Sequence, residues 1–140
     1  MTADRSSEGE RSGAATAEAT LDGPAVDEAV IEQLATITDS EGFSVLGELL
    51  NAFLTATPVR LDALDKALAA RDLAVLADQA HALTGSSASF GARGMAALCR
   101  RLRVAAHDGD LDEARRLLRH LHAEFLRVRT RLVTLTRRGA

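Results

Sequence analysis

The sequence has few of the residues that build sheets and cross-links. Only four of its 140 residues are aromatic, and proline occurs twice, at Pro24 and Pro58. Leucine, alanine, arginine and glutamate dominate instead, and this composition favours helices over strands built from β-branched and aromatic residues. We therefore expect an all-α protein, and the length suits one compact domain.

The chain also lacks a second cysteine and a long apolar run. A single cysteine, Cys99, excludes an internal disulfide. No apolar stretch approaches the roughly 20 residues that span a bilayer, and residues 1–25 lack the apolar segment of a signal peptide. We expect a cytoplasmic protein without a membrane partner.

Basic residues are scarce in the first two thirds of the chain, and acidic residues are scarce in the last third. Residues 1–92 carry 15 acidic and 5 basic side chains, whereas residues 93–140 carry 12 arginines and 5 acids. An arginine-rich end can bind nucleic acid. These arginines, however, interleave with a helical apolar stripe and lack aromatic neighbours for base stacking. We expect no nucleic-acid partner, and a polarised surface that orients a protein partner.

Hydrophobic periodicity divides the chain into a tail and a helical domain. Residues 1–25 have no apolar period and are predicted to be a disordered tail, and residues 26–138 are predicted to form the domain. A short helix is expected from about Asp27 to Thr36, with Val30, Ile31 and Leu34 on its apolar side. We expect it to pack across one end of a larger bundle.

Four longer amphipathic helices follow the short one. The first covers about residues 41–70 with an apolar side that includes Phe43, and Pro58 should kink or split it. Asp72 is a good N-cap for the next helix, which should stop near Gly91. A helix over residues 92–106 and a last helix opened by the capping box Asp110/Glu113 complete the set. Short connections predict an up-down-up-down four-helix bundle.

His81 lies on the solvent side of the helix that Asp72 opens. At 100° per residue from Ala80, the apolar residues cluster at roughly −30°, whereas His81 lies at about +100°. Its neighbours on that face are small or acidic: Ala74, Asp78, Gly85 and Ala88. A glycine inside a helix costs about 1 kcal/mol relative to alanine. The bare surface suggests that a folded partner approaches the imidazole closely, although His81 could equally be an ordinary surface histidine.

The stretch from His81 to Ala92, HALTGSSASFGA, followed by Leu98, Cys99 and Leu102, resembles the signature of histidine phosphotransfer (Hpt) domains. The resemblance extends over about residues 27–135. It implies a four-helix bundle that carries a phosphoryl group on His81 between aspartates of receiver domains, with no catalytic site of its own. An exposed imidazole is largely neutral at cytoplasmic pH, so a ring nitrogen can attack phosphorus.

The resemblance also assigns surrounding roles. Gly85 matches the glycine that gives a partner access, and Ser86 and Ser87 match a pair of small residues, with Ser87 predicted to point inward. Thr84 departs from the family, which usually has a lysine there beside the phosphoryl group. Three side chains of the next helix could supply the missing charge or a hydrogen bond: Arg100, Arg103 and His107.

The expected partners are receiver domains and a hybrid sensor histidine kinase. The protein needs no cofactor of its own, since Mg²⁺ is expected in the receiver, and a monomer is the default. No metal site is predicted, because His120 and His122 point to different sides of a helix. Cys99 is expected to be a packing residue. An Hpt-like adaptor that binds receivers or other helices without phosphotransfer remains the alternative, ahead of an arginine-rich nucleic-acid binder.

Overall fold

The computed structural model describes residues 23–139, and this part of the chain is all-helical. Its helices are α1 (Glu28–Ala35), α2 (Leu46–Ala69), α3 (Leu73–Ser89), α4 (Arg93–Asp108) and α5 (Leu111–Gly139). Over residues 23–139, extended pairing is limited to one antiparallel bridge between Thr38 and Ser44. The all-α prediction is confirmed. Residues 1–22, most of the predicted disordered tail, lie outside the described residues.

The helix α1 has the predicted bounds, and capping residues stand at both of its ends. The Asp27 carboxylate accepts a hydrogen bond from the Ala29 backbone N–H at 3.0 Å, and the C-cap is Thr36. The Asp27 backbone N–H also donates to the Gly91 carbonyl at 2.9 Å. Gly91 has a φ of +71°, and a Cβ there would lie 2.9 Å from the Asp27 carbonyl oxygen. A glycine is therefore needed where α1 meets the turn between α3 and α4.

The start of α2 was predicted wrongly. The helix begins at Leu46 rather than Glu41, and Phe43, expected on its apolar side, is 67% exposed. The cause is a competing turn, in which the Asp39 carboxylate accepts from the backbone N–H groups of Glu41 and Phe43. Gly42 completes that turn with a φ of +87°. A side chain that caps backbone donors in a turn removes them from a helix.

Pro58 lies inside α2, which continues to Ala69 without a break. A proline removes the donor for the carbonyl four residues earlier and normally disfavours a helix interior. Here α2 buries apolar side chains on both sides of Pro58, among them Leu50, Phe53, Leu61 and Leu64. Tertiary packing therefore holds the two halves in one helix, and the predicted split does not occur.

Small side chains are common among the buried residues of α3 and α4, two helices that pack against each other. The buried residues of α3 include Ala77, Ala80 and Ser87, and those of α4 include Gly94, Ala96, Cys99 and Ala105. Asp72 caps α3 through the Val75 backbone N–H at 3.2 Å, as predicted. Small residues at a contact let two helix axes approach closely, so a side chain from α4 can reach the exposed face of α3.

The last helix closes the core. Its buried residues include Leu117, Leu121, Phe125, Val128 and Leu132, and α5 packs against α2 and α4. Asp110 accepts from the Glu113 backbone N–H at 3.1 Å, which is half of the predicted capping box. The other half is replaced, because the Asp110 N–H donates to the Ala105 carbonyl and the Glu113 carboxylate pairs with Arg116.

None of the helices described over residues 23–139 combines the length and the apolar character needed to cross a membrane.

Candidate functional site

His81 lies near the middle of α3 with its side chain exposed to solvent. The residue before it, Ala80, is fully buried, and so is Leu83 two residues after it. Successive helical residues are turned by 100°, so burial of these two side chains directs the imidazole away from the core. The rigid helix thus presents a ring nitrogen at the protein surface.

The exposed arc of α3 around His81 carries little side-chain bulk. Ala74, Asp78, Gly85 and Ala88 are all exposed, as the helical wheel predicts. A Cβ built on Gly85 meets no atom within 4 Å, so the glycine is not required by packing within the described residues. The arc can therefore receive a second protein surface close to the helix backbone.

Arg103 of α4 reaches the imidazole. Its Nη1 atom lies 3.0 Å from Nδ1 of His81, and both side chains are exposed. A guanidinium group only donates hydrogen bonds, so Nδ1 is the acceptor in this contact. The contact places a permanent positive charge beside His81 and leaves the other ring nitrogen, Nε2, outside it.

Thr84, which stands where the family usually has lysine, turns toward its own helix. Its hydroxyl donates to the Ala80 carbonyl at 2.8 Å and its side chain is half-buried. The next small residues also bond or pack locally. Ser86 donates to the Leu83 carbonyl at 3.3 Å, and Ser87 is buried with no hydrogen-bond partner for its hydroxyl among the described residues. Ser87 thus points inward, as predicted.

Arg100 and His107 flank Arg103 along α4. At 100° per residue, Arg100 lies about 60° and His107 about 40° around the helix from Arg103, one turn before and after it. Both side chains are exposed. Of the three candidates, Arg103 is the one that forms a hydrogen bond with His81 in the described part of the chain. Arg100 lines a shallow depression with Val104 and Leu117 on the α5 side.

A groove beside α3 was not predicted from the sequence. It has a volume of about 560 Å³ and lies between α2 and α3, with Gln79 on one wall. Arg60 donates to the Gln79 side-chain oxygen at 3.3 Å across it. The α2 wall carries small or exposed apolar residues at helical spacing: Ala52, Ala56, Val59 and Ala63. The sequence signal for this groove was the recurrence of these residues every three or four positions on the side of α2 away from the core.

A groove of about 1090 Å³ elsewhere on the molecule does not include His81. It lies between the start of α1 and α5, and ion pairs cross it between Arg93 and Asp27 and between Arg131 and Glu28. His122 of α5 lies 3.0 Å from Asp65 of α2. These pairs hold neighbouring segments of the bundle together.

Two further titratable groups lie in the core. Burial raises the pKa of the Cys99 thiol to about 12, so this cysteine is a packing residue without thiolate chemistry. Burial also raises the pKa of Glu124, although Arg127 donates to its carboxylate at 2.7 Å and partly opposes the shift.

The chain is similar to proteins of one known family. Residues 48–131 match the family model of the Hpt domain. The structure is similar to the crystal structure of histidine-containing phosphotransfer protein B (HptB) from Pseudomonas aeruginosa PAO1, with a TM-score of 0.76 and 30% sequence identity. That similarity covers 83% of this chain and 97% of that chain. No curated protein matches the chain. The span matched by the family model contains α3 and α4, which carry His81 and Arg103.

Proposed function

Because the chain belongs to the Hpt domain family and is a histidine phosphotransfer protein of phosphorelay signalling, we propose that His81 is the residue that carries the phosphoryl group. One observation supports this assignment most strongly: an exposed imidazole stands on a helix face cleared of side chains around it. The nucleophile is a ring nitrogen of His81, and Arg103 is in contact with Nδ1 of the same ring.

The proposed reaction exchanges a phosphoryl group between His81 and an aspartate of a receiver domain. Phosphoryl transfer depends mainly on in-line positioning and on neutralisation of the phosphoryl oxygens. His81 supplies an accessible nucleophile on a rigid helix, and Arg103 supplies a positive charge that Thr84 lacks. Mg²⁺ belongs to the receiver in this proposal, and this chain acts as a phosphocarrier with no catalytic site of its own.

The proposed docking surface is the exposed arc of α3, formed by Ala74, Asp78, Gly85 and Ala88 around His81. Its small side chains allow a receiver to bring its aspartate to the imidazole. The groove between α2 and α3 lies off this arc, because Gln79 is about 200° around α3 from His81. The proposed partners at the arc are a receiver domain and a hybrid sensor kinase. Arg100 adds positive charge on the α4 side, where His107 is also exposed.

The architecture proposed for this site is an up-down-up-down four-helix bundle of α2–α5, with α1 across one end. The short turns between the helices and the packing of α5 against both α2 and α4 support it. A domain spanning residues 26–138 and a monomeric state belong to the same proposal, because one continuous core includes residues from Val26 to Leu132. The cytoplasmic location stays a prediction.

The test is transfer of radiolabelled phosphate from phosphorylated receiver domains to the wild type, to His81→Gln and to His120→Gln. His120 is an exposed histidine of α5, so its substitution is the matched control. We expect acid-labile, alkali-stable label on the wild type and on His120→Gln, and none on His81→Gln. Label that persists in His81→Gln would contradict the assignment.

The alternative function is an adaptor that binds receivers or other helices without carrying phosphate. The loss of the usual lysine at Thr84 is the observation that favours it. Binding of receivers without label from any phosphorylated donor would select the adaptor.

A further inference from the structure

Arg100 of α4 is an exposed arginine whose guanidinium has no carboxylate partner among the described residues. The other arginines of this helix are engaged. Arg93 and Arg101 form ion pairs with carboxylates outside α4, and Arg103 contacts the imidazole of His81. The positive charge of Arg100 is therefore available to a group from another molecule.

Arg100 lies at the height of Gly85 on the neighbouring helix. A turn of residues 90–92 joins α3 and α4, which pack against each other, so the two helices run in opposite directions. The contact between Arg103 and His81 sets their register. Arg100 is three residues before Arg103, about 4.5 Å along α4, and Gly85 is four residues after His81, about 6 Å in the same direction. The unpaired arginine thus stands beside the space that the glycine leaves open.

The side chain of Arg100 is directed toward the solvent. At 100° per residue it lies about 60° around α4 from Arg103, whereas the buried residues Cys99 and Leu102 lie on the other side of Arg103. A protein that docks over His81 would therefore displace water from this guanidinium. Removing a charged group from water costs free energy unless the partner supplies a hydrogen-bonding counter-charge.

The opposite end of the exposed arc carries the opposite charge. Asp78 is exposed and lies three residues before His81, about 4.5 Å along α3 in the direction away from Gly85. His107 of α4 is also at this end, where it is a titratable rather than a permanent positive charge. The arc is thus positive beside Gly85 and contains a carboxylate beyond His81, so its two ends are different for a docking protein.

We propose that Arg100 is a specificity-determining residue of the docking surface, and that it pairs with a carboxylate which the receiver domain presents beside its phosphorylated aspartate, over Gly85. This inference rests on the proposed function, in which receivers dock on the arc. The carboxylate lies outside the receiver's metal site, because metal-bound carboxylates already share their charge with Mg²⁺. Such a pair selects receivers that are acidic at this position and fixes the orientation in which they dock.

The first arm of the test is the Kd of the unphosphorylated full chain for a receiver domain, namely the receiver in a panel that binds the wild type most tightly. At about 0.05 M salt we expect Arg100→Glu to weaken binding about tenfold and Arg100→Gln about threefold. At about 1 M salt, where exposed charges are screened, both differences should fall below about twofold. Arg119→Glu is the matched control, because Arg119 is exposed on the side of α5 away from the core. It should bind like the wild type.

The second arm exchanges the charges across the interface. Each surface carboxylate next to the phosphorylated aspartate of the same receiver is replaced by lysine in turn, leaving the metal-binding residues unchanged. We expect one of these receivers to bind Arg100→Glu more tightly than it binds the wild type, because the exchanged pair restores the attraction. Equal binding by Arg100→Glu and Arg119→Glu, or the failure of every lysine variant to restore binding, would overturn the proposal.

The two arms also separate this inference from the proposed function. Binding is measured without phosphate, so it reports on Arg100 even if His81 accepts no phosphoryl group. Absence of label on the wild type would refute phosphotransfer at His81. Normal labelling together with unchanged binding by Arg100→Glu would refute the role of Arg100 alone, and absence of binding by every receiver would overturn both the docking surface and the role of Arg100.

Discussion

Gly85 lies on the exposed arc of α3 one turn after His81, where a larger side chain should stabilise the fold and impair phosphotransfer at the same time. A Cβ at this position meets nothing within 4 Å, so Gly85→Ala and Gly85→Gln introduce no clash within the protein. Glycine costs about 1 kcal/mol relative to alanine inside a helix, and glutamine costs roughly 0.4 kcal/mol. The free energy of unfolding should therefore rise by about 1 kcal/mol for alanine and about 0.6 kcal/mol for glutamine.

The effect on phosphotransfer should have the opposite sign. The glutamine side chain would extend from α3 into the space that a docked receiver needs beside the imidazole. We expect Gly85→Gln to slow transfer from a phosphorylated receiver at least about tenfold, which corresponds to about 1.4 kcal/mol. Gly85→Ala should slow it less, because a methyl group extends less far.

The control places the same side chain on another open helix position. Gly47 of α2 also has no atom within 4 Å of a built Cβ. It precedes Arg60 by thirteen residues, or about 20 Å along the helix, and Arg60 contacts Gln79 at the level of the site. Thermal unfolding and transfer kinetics should show Gly47→Gln transferring at the wild-type rate. If Gly85→Gln also transfers at that rate, receivers do not dock across Gly85.

Other perturbations test the fold around the site. Gly91→Ala should lower the free energy of unfolding by about 2–4 kcal/mol in chemical denaturation, because it combines a left-handed φ with a clash against Asp27; wild-type stability would contradict the close contact. Cys99, buried and with its thiol pKa raised to about 12, should react with thiol reagents only at the rate of unfolding; fast labelling of the native protein would refute this. Burial raises the pKa of Glu124 above its unfolded value, so its contribution to stability is present below about pH 4.5 and is lost as the pH rises through the folded pKa. The stability advantage of Glu124→Gln over the wild type should therefore grow as the pH rises from about 4 to 7, and a constant difference would contradict the shift.

Local signals predicted the parts of the fold that depend on local contacts. Asp27 and Asp72 begin α1 and α3 because each carboxylate accepts from a backbone N–H two or three residues later, an interaction that needs no distant partner. The sequence failed where two local structures compete. Before α2, the turn made by Asp39 and Gly42 excludes Phe43 from a helix that its apolar spacing favoured.

Contacts between helices decide the features that local sequence signals did not predict, namely the continuity of α2 at Pro58 and the contact between Arg103 and His81. Pro58 stays inside α2 because buried side chains on both sides of it hold the helix against the core. At the site, the helical wheel predicts the exposure of His81 but does not separate Arg100, Arg103 and His107, since all three lie on one strip of α4; the family resemblance favours Arg103 over His107. Only the register of α4 against α3 brings Arg103 to the imidazole. A register between two helices is not readable from the periodicity of either one.

The contact between Arg103 and His81 spans two helices, so it measures their separation. Small side chains are buried on both helices, among them Ala77 and Ala80 on α3 and Ala96 and Cys99 on α4. Ala96 and Cys99 lie within about 40° of Arg103 around α4, so they are on the side of that helix that faces His81. Adding one or two methyl groups in this layer would move the guanidinium away from Nδ1 without touching any surface residue. The reactivity of an exposed histidine thus depends on the volume of the core beneath it, and the ¹⁵N spectrum of that single ring becomes a reporter of how closely α3 and α4 pack.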